Sequence, residues 1–321
     1  MKKILIFKTD RLGDLLNISP IINNLKLNFP DSKIDLICSE YNKSIAKYFS
    51  SYVNIIVYKK PFFFFLISNY KKFFINKYDL LIQLDGKNHS YLSSIFIKSK
   101  KKICIQFKKK KKILGKDIVI NRPNNFIILF FTKSLKSIED YNITNNKDFH
   151  YLSLYLNLIS LIGIKIYNKE HFFPSVKNIN ISKFRDTYTL IHIDNRWDNF
   201  EKSAHDNIQQ FILKFSEKNN IVISSNIGGN KLFNNIYDLY YLNTNIHFFP
   251  KPNINDVISL ILHSKTCISS HAGLIVHLAA SFKKKIIDIV PKNIFLELDR
   301  WVPLNSNYKR LDVMNFTYKD L

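Results

Sequence analysis

Short apolar runs alternate with stretches of helical periodicity along nearly the whole chain, and this alternation restricts the fold more than any other feature. In the first half Ile4–Phe7, Lys33–Cys38, Asn54–Tyr58, Asp79–Leu84 and Lys102–Phe107 read as strands. Continuous apolar runs of this length, without period-two alternation, belong to strands buried on both faces. Between them, Leu15, Ile18, Ile22, Leu25 and Phe29 recur at helical spacing and stop at Pro30, predicting a helix from Asp14 to Phe29. Asn42–Ser50 and His89–Ile97 are further helical segments. The second half repeats the rhythm, with strands at Tyr188–Ile193, Ile221–Ser225, Ile246–Phe249, Thr266–Ser269 and Lys285–Val290. Its helices are expected at His205–Ser216, Lys231–Tyr241, Ile254–His263 and Gly273–Phe282, with another at Tyr151–Leu161. Strand, helix, strand in this order means a parallel sheet covered by helices. The chain of 321 residues is long enough for two such domains, expected at residues 1–165 and 186–321, with a linker at 166–185 that contains Pro174 and a cleft between the domains. Ligands of such sheets bind beyond the carboxyl ends of the strands.

Charge bounds the partners. Lys and Arg number 48 against 25 Asp and Glu, a net charge of +23, which favours acidic partners. Residues 1–150 hold 28 basic and 11 acidic side chains, residues 151–321 hold 20 and 14, so the first half carries most of the field. Only six of the basic residues are Arg, and Ile, Asn, Lys, Phe and Tyr are all abundant; AT-rich coding is a second explanation of the lysine excess. Lys108–Lys112 reads either as a solvated loop or as an addition to the attraction for phosphates or anionic lipid. Lys59–Lys77, aromatic and apolar with basic flanks, reads either as a segment lying at a membrane interface or as a core element with solvated lysines.

Several classes are excluded. No apolar run approaches the ~20 residues of a membrane-spanning helix, and Lys8, Asp10 and Arg11 break the first apolar run too early for a secretory signal. With seven Gly the chain holds neither a G-x-G-x-x-G nor a G-x-x-x-x-G-K-[ST] sequence. Cys38, Cys104 and Cys267 lie far apart in strand-like runs, which predicts buried reduced thiols and no metal site. No nucleic-acid recognition motif accompanies the lysines.

Two segments carry chemistry. In Ile4-Leu5-Ile6-Phe7-Lys8-Thr9-Asp10-Arg11-Leu12-Gly13-Asp14 a buried strand enters a short polar turn and a helix begins. Asp14 then falls in the first helical turn, either as a proton acceptor or, like Asp10, as a helix cap. In Cys267-Ile268-Ser269-Ser270-His271-Ala272-Gly273-Leu274-Ile275-Val276-His277 a second strand ends in a small-residue turn and a helix starts near Gly273. Free N–H groups there suit a diphosphate. His277 is expected one turn in on the first exposed face, or else as a structural histidine; His271, in the turn, is placed to meet a phosphate or a sugar.

Together these segments resemble the ADP-heptose:lipopolysaccharide heptosyltransferases, glycosyltransferase family 9. The opening Lys8-Thr9-Asp10-Arg11-Leu12-Gly13-Asp14 with Pro20 corresponds to that family's opening signature. Tyr78-Asp79-Leu80-Leu81-Ile82-Gln83-Leu84-Asp85-Gly86-Lys87 corresponds to its middle one, and His150-Tyr151 to its helix before the linker. His271-Ala272-Gly273-Leu274-Ile275-Val276-His277-Leu278-Ala279-Ala280 stands where the family has Asp-Ser/Thr-Gly-x-x-His-Leu-Ala-Ala. His271 replaces the acidic residue, Ala272 the hydroxyl residue, and one extra residue separates Gly273 from His277.

The resemblance implies a GT-B fold of two Rossmann-like domains and an inverting, metal-independent glycosyl transfer with Asp14 as general base. It places the acceptor at Thr9, Asp10, Arg11, Gly13, Asp85, Lys87 and His89. It places the donor diphosphate at Asp194, Asn195, Arg196, His271, Ala272, Gly273, Leu274 and His277. The family's phosphate-binding lysine matches Lys202, with Arg196 as the rival. The implied donor is a nucleoside-diphosphate sugar such as ADP-heptose, with no further cofactor. The implied acceptor is an anionic glycolipid, a lipopolysaccharide core or another surface glycan, at the cytoplasmic face of the inner membrane, with a monomeric enzyme associated peripherally. A non-catalytic protein binding an anionic glycolipid or polymer is the competing expectation.

Overall fold

The computed structural model describes residues 1–113, 116–136, 150–174, 187–225 and 230–317; of residues 108–113 and 116–121 it describes the backbone. The chain divides into two compact units, Met1–Lys169 and Glu170–Leu321. The division falls inside the expected linker, of which residues 175–185 lie outside the described residues.

The first unit holds strands β1 (Lys3–Phe7), β2 (Lys33–Ser39), β3 (Asn54–Tyr58), β4 (Tyr78–Gln83), β5 (Ser99–Ile113), β6 (Lys116–Arg122) and β7 (Lys133–Lys136). They form one sheet in the order β3-β2-β1-β4-β5-β6, with β7 paired to β5. All pairings are parallel except β5 with β6. Ile4, Leu5, Ile6 and Phe7 are fully buried, as a central strand covered on both faces requires.

The second unit holds β8 (Tyr188–Ile193), β9 (Ile221–Ser225), β10 (Ile246–Pro250), β11 (Ser264–Ser269), β12 (Lys285–Val290) and β13 (Tyr308–Asp312). Their order is β10-β9-β8-β11-β12-β13, all parallel. In both sheets the strand order reverses at the centre, beside β1 and β4 in one and beside β8 and β11 in the other. A crevice opens at such a reversal because the loops leave the two neighbouring strands in opposite directions.

The expected strands are present, and three expectations change. The single helix from Asp14 to Phe29 is two, Leu12–Leu16 and Ser19–Asn28. Pro20 has no N–H to continue the first helix but suits the first turn of the second. Lys108–Lys112 is not a loop: its backbone belongs to β5 and pairs antiparallel with Asp117–Asn121 of β6. A run of identical residues has no periodicity, so the ladder was invisible in the side-chain pattern. The Lys59–Lys77 segment is both core and surface. Helix Phe62–Ser68 and the turn Lys71–Ile75 bury Phe65, Leu66 and Phe73, while Phe63, Phe64, Ile67, Tyr70 and Ile75 stay exposed.

Cys38, Cys104 and Cys267 are buried free thiols, and burial pushes Cys38 up to about 11. Among the described residues no helix is long and apolar enough to cross a membrane.

Candidate active site

In the first unit the turns after β1 and β4 are joined by one carboxylate. Asp85 is fully buried. Its Oδ2 accepts from the Thr9 amide at 2.9 Å, the Thr9 hydroxyl at 2.8 Å and the Ser90 hydroxyl at 3.0 Å. Its Oδ1 accepts from Gln83 Nε2 at 3.0 Å and from the Lys87 amide at 3.1 Å. Asp85 was expected at the acceptor edge. With both oxygens occupied and no exposed surface, it instead shapes the turns that carry Thr9, Lys87 and His89.

Beneath the first turn lies a buried cation. Lys8 is 1% exposed, and its ammonium donates to Asp10 Oδ2 at 2.9 Å, the Leu84 carbonyl at 3.0 Å and the Tyr155 hydroxyl at 3.0 Å. Burial works to lower its pKa, but the charges of Asp10, Tyr155 and Asp14 outweigh it and hold the group well above the ordinary lysine value. Asp10 is itself pushed up by burial and by Asp85 and Asp14, against the pull of Lys8. Asp14 stands in the first turn of helix Leu12–Leu16, where its Oδ2 accepts from the Arg11 amide at 3.4 Å. Asp14 thus caps a helix, through a long bond, at the carboxyl edge of the sheet.

A cavity of about 1010 Å³ opens beside these turns. Thr9 and Asp10 line it from the end of β1, Ser39, Glu40 and Tyr41 from β2, and Tyr58 and Lys60 from β3. Gly86, Lys87, Asn88 and His89 follow from β4, with Phe107 and Arg122 beyond. His89 stacks on Tyr58 with ring centroids 4.3 Å apart; burial, Lys87 and Lys60 lower its pKa against the opposing charge of Asp85. The Lys87 ammonium donates to the Thr9 carbonyl at 3.2 Å. Within the first helical turn Arg11 is exposed, Gly13 buried and Asp14 half-buried, and none of the three lines the cavity.

In the second unit Arg196 connects the other pair of turns. Its guanidinium donates to the carbonyls of Ser270 (3.3 Å) and His271, and it lies 3.5 Å from Asp194 Oδ2. Burial raises the Asp194 pKa against the pull of Arg196. The helix Gly273–Ser281 begins at Ala272, whose side chain caps none of the first-turn N–H groups. An uncapped start of this kind favours an anion. Of the two rival cations, Arg196 joins this turn; Lys202, exposed at the start of helix Lys202–Ser216, does not. Asn195 is exposed beside Arg196, and Gly273 and Leu274 are half-buried.

His277 is not on an exposed face. It is 3% exposed and stacks on His171, centroids 4.8 Å apart. Its helix is apolar around most of its circumference and buries Ile275, Val276, Leu278 and Ala279, so the position one turn in faces protein. Reading the sequence missed Asp288, in β12. Its side chain is fully buried and holds the His271 ring, Nδ1 to Oδ2 at 2.6 Å. Asp288 sits inside the run Ile286-Ile287-Asp288-Ile289-Val290; a charged residue in the middle of a buried strand was the available signal.

No protein-family model and no curated protein matches the chain by sequence. Solved structures do match. E. coli heptosyltransferase WaaC with ADP-2-deoxy-2-fluoro heptose is 14% identical, with 99% of this chain and 96% of that one covered and a TM-score of 0.67. The family 9 glycosyl transferase from Veillonella parvula is 13% identical, covering 97% and 86%, with a TM-score of 0.71. The chain has the GT-B fold of these transferases. UDP-GlcNAc 2-epimerase from Methanocaldococcus jannaschii is also similar, at 15% identity, 98% and 89% coverage and a TM-score of 0.55. One fold serves both reactions, so the reaction belongs to the side chains at the strand ends.

Proposed function

We propose that the protein is an inverting glycosyltransferase that moves a sugar from a nucleoside-diphosphate sugar, ADP-heptose or a related donor, to an anionic glycolipid such as a lipopolysaccharide core. The observation that carries this reading is the pairing of chemistries at the two strand-order reversals. One presents a first-turn carboxylate, Asp14, at the carboxyl edge of its sheet. The other presents an uncapped helix start with Arg196 against its turn.

In this mechanism Asp14 takes the proton of an acceptor hydroxyl, and that oxygen attacks the anomeric carbon opposite the leaving diphosphate. The electron pair of the broken bond goes to the diphosphate. The first-turn N–H groups at Gly273 and Leu274, with Arg196, stabilise the charge that develops; no metal is needed for that. Thr9, Lys87 and His89 hold the acceptor, and Lys60 and Arg122 meet its anionic groups. Asn195 and His271 complete the donor side.

The acceptor's lipid anchor fits the surface next to the cavity. Lys60 lines the cavity, and helix Phe62–Ser68 begins two residues later with Phe63, Phe64 and Ile67 exposed. Lys59, Lys71, Lys72 and Lys77, all exposed, flank it. Aromatic side chains among lysines bind an anionic bilayer surface, and the inner membrane's cytoplasmic face is the proposed location. The enzyme is proposed to act there as a monomer. Incubating the purified protein with a panel of ADP-, UDP-, GDP- and CMP-sugars tests the reading. It expects one donor to raise the melting temperature and to be turned over. No shift with any donor, with vesicle binding intact, would favour a non-catalytic glycolipid-binding protein.

A further inference from the structure

The second unit has a further cavity, at the edge of its sheet opposite the donor turns. About 360 Å³ of space opens where β8, β9, β10 and β11 begin. β8 is six residues long, so at ~3.3 Å per residue about 20 Å of strand separates this cavity from Asp194 and Arg196. The backbone fixes its frame: the Thr189 amide donates to the Asn220 carbonyl at 2.9 Å, and the Ile221 amide to the Asn245 carbonyl at 2.8 Å.

Two asparagines in its wall are held with their carbonyl oxygens unspent. Asn219 Nδ2 donates to the Phe215 carbonyl at 3.0 Å, and Asn245 Nδ2 to the Ser216 carbonyl at 2.8 Å. Those carbonyls end helix Lys202–Ser216. The amide donors cover the helix's negative end and leave each Oδ1 as an acceptor. The side chains of Thr187, Thr189 and Asn220 also line the cavity, and none has a hydrogen-bond partner among the described residues. Hydroxyl and amide groups both donate and accept. Among the described residues no Leu, Ile, Val or Phe joins the lining, so an apolar ligand gains nothing here, whereas closely spaced hydroxyls find partners.

The charge is one-sided. Lys218 and Lys265 line the cavity against one acid, Glu217. All three are exposed, and none is in an ion pair among the described residues. Next to Lys265, Thr266 pairs with Lys285, which follows Lys283 and Lys284 in the chain, so the neighbouring strand edge is cationic as well.

We propose that this cavity binds an acidic saccharide, a sugar unit carrying a carboxylate or a phosphate. Lys218 and Lys265 meet its charge; Thr189, Asn220 and the Asn219 and Asn245 oxygens meet its hydroxyls. The site holds a sugar and performs no chemistry on it, and it stands on its own geometry whether or not the protein transfers sugars.

Saturation-transfer NMR titrations of the full chain with glucuronate, glucose 6-phosphate, glucose, acetate and inorganic phosphate test this. The two acidic sugars are expected to bind about tenfold tighter than glucose, acetate or phosphate, because only they engage both the lysines and the hydroxyl partners. Lys265→Ala is expected to weaken glucuronate about tenfold, the size of one charge-assisted hydrogen bond, and Thr189→Val about fivefold. Thr189→Val keeps the backbone bond to Asn220, and Lys265 is exposed, so melting temperatures should stay at the wild-type value. The proposal is overturned if neither acidic sugar binds, or if glucuronate affinity survives both variants, which places the sugar elsewhere. Acetate or phosphate binding as tightly as the acidic sugars would reduce the cavity to an anion site, and glucose binding as tightly would remove the role of the lysines; either result also overturns it. The transferase reading is judged separately, by the nucleotide-sugar panel.

Discussion

Asp85 accepts both the amide and the hydroxyl of Thr9, at 2.9 and 2.8 Å, across 76 residues of sequence. This pair fixes where the chain leaves β1 relative to where it leaves β4, and so fixes the floor beneath Asp10, Lys87 and His89. Replacing Asp85 by Ala removes the side-chain acceptor of five donors, four of them buried. The expected loss is roughly 3–5 kcal/mol of unfolding free energy. Thr9→Val, which removes one hydroxyl and keeps the amide bond, is expected to cost about 1–2 kcal/mol. Urea denaturation of both variants checks the ranking; equal, small losses would mean the carboxylate does not organise the turns.

The buried cation Lys8 predicts a coupling. Lys8→Met leaves Asp10 without its partner in a site that already raises its pKa, at an expected cost of roughly 3–5 kcal/mol. Adding Asp10→Asn removes the stranded charge, and the double variant is expected to be more stable than Lys8→Met alone. A double-mutant cycle gives the interaction directly. Strict additivity would show that the two side chains do not depend on each other.

Much of this was legible in the sequence, for a physical reason. A strand buried on both faces must be apolar throughout, so β1, β4, β8 and β11 stood out, and with them the turns that follow. Partnerships across long separations were not legible. Lys8 reads as an ordinary turn lysine until Tyr155, 147 residues later, accepts a hydrogen bond from its ammonium. Asp288 belongs to no motif, and only the register that places it opposite Ser269 brings it to His271. His277 shows the converse: its motif suggested a ligand, but its helix is covered on the face one turn in. The strand pairing of Lys108–Lys112 escaped because backbone ladders do not require a side-chain pattern.

Stability should depend on pH through His192. Burial first, and Arg196 second, lower its pKa to about 4, and its Nδ1 pairs with the Ser224 hydroxyl at 3.0 Å. A histidine whose folded value lies below its unfolded value of ~6.5 is neutral in the fold, and the unfolded chain binds the extra proton. Its contribution is therefore complete above pH ~6.5 and is lost as pH falls from ~6.5 toward 4, by about 3 kcal/mol. Asp10 and Asp194, whose values burial raises, act in the opposite sense. The difference between wild type and His192→Asn isolates the histidine. Melting curves from pH 7 to pH 4 are expected to show a shallower decline in the variant, and parallel declines would contradict the assignment.

Membrane association is expected to need both halves of the exposed surface at residues 59–77. Phe63→Ser with Phe64→Ser should weaken binding to phosphatidylglycerol vesicles at any salt concentration. Lys71→Glu with Lys72→Glu should weaken it mainly at low salt, where surface charges are least screened. None of these side chains lies in the core, so melting temperatures should change little. Vesicle sedimentation unaffected by either pair would attribute the lysine excess to coding bias.

The central claim is that Asp14 removes the acceptor's proton during transfer from a nucleotide sugar. It is tested most directly by comparing wild type with Asp14→Asn for donor affinity and for sugar transferred per unit time. The account predicts an unchanged dissociation constant for the donor, an unchanged fold, and transfer slower by a factor of about 10²–10⁴, the range a positioned general base supplies. Transfer at the wild-type rate by Asp14→Asn would contradict it.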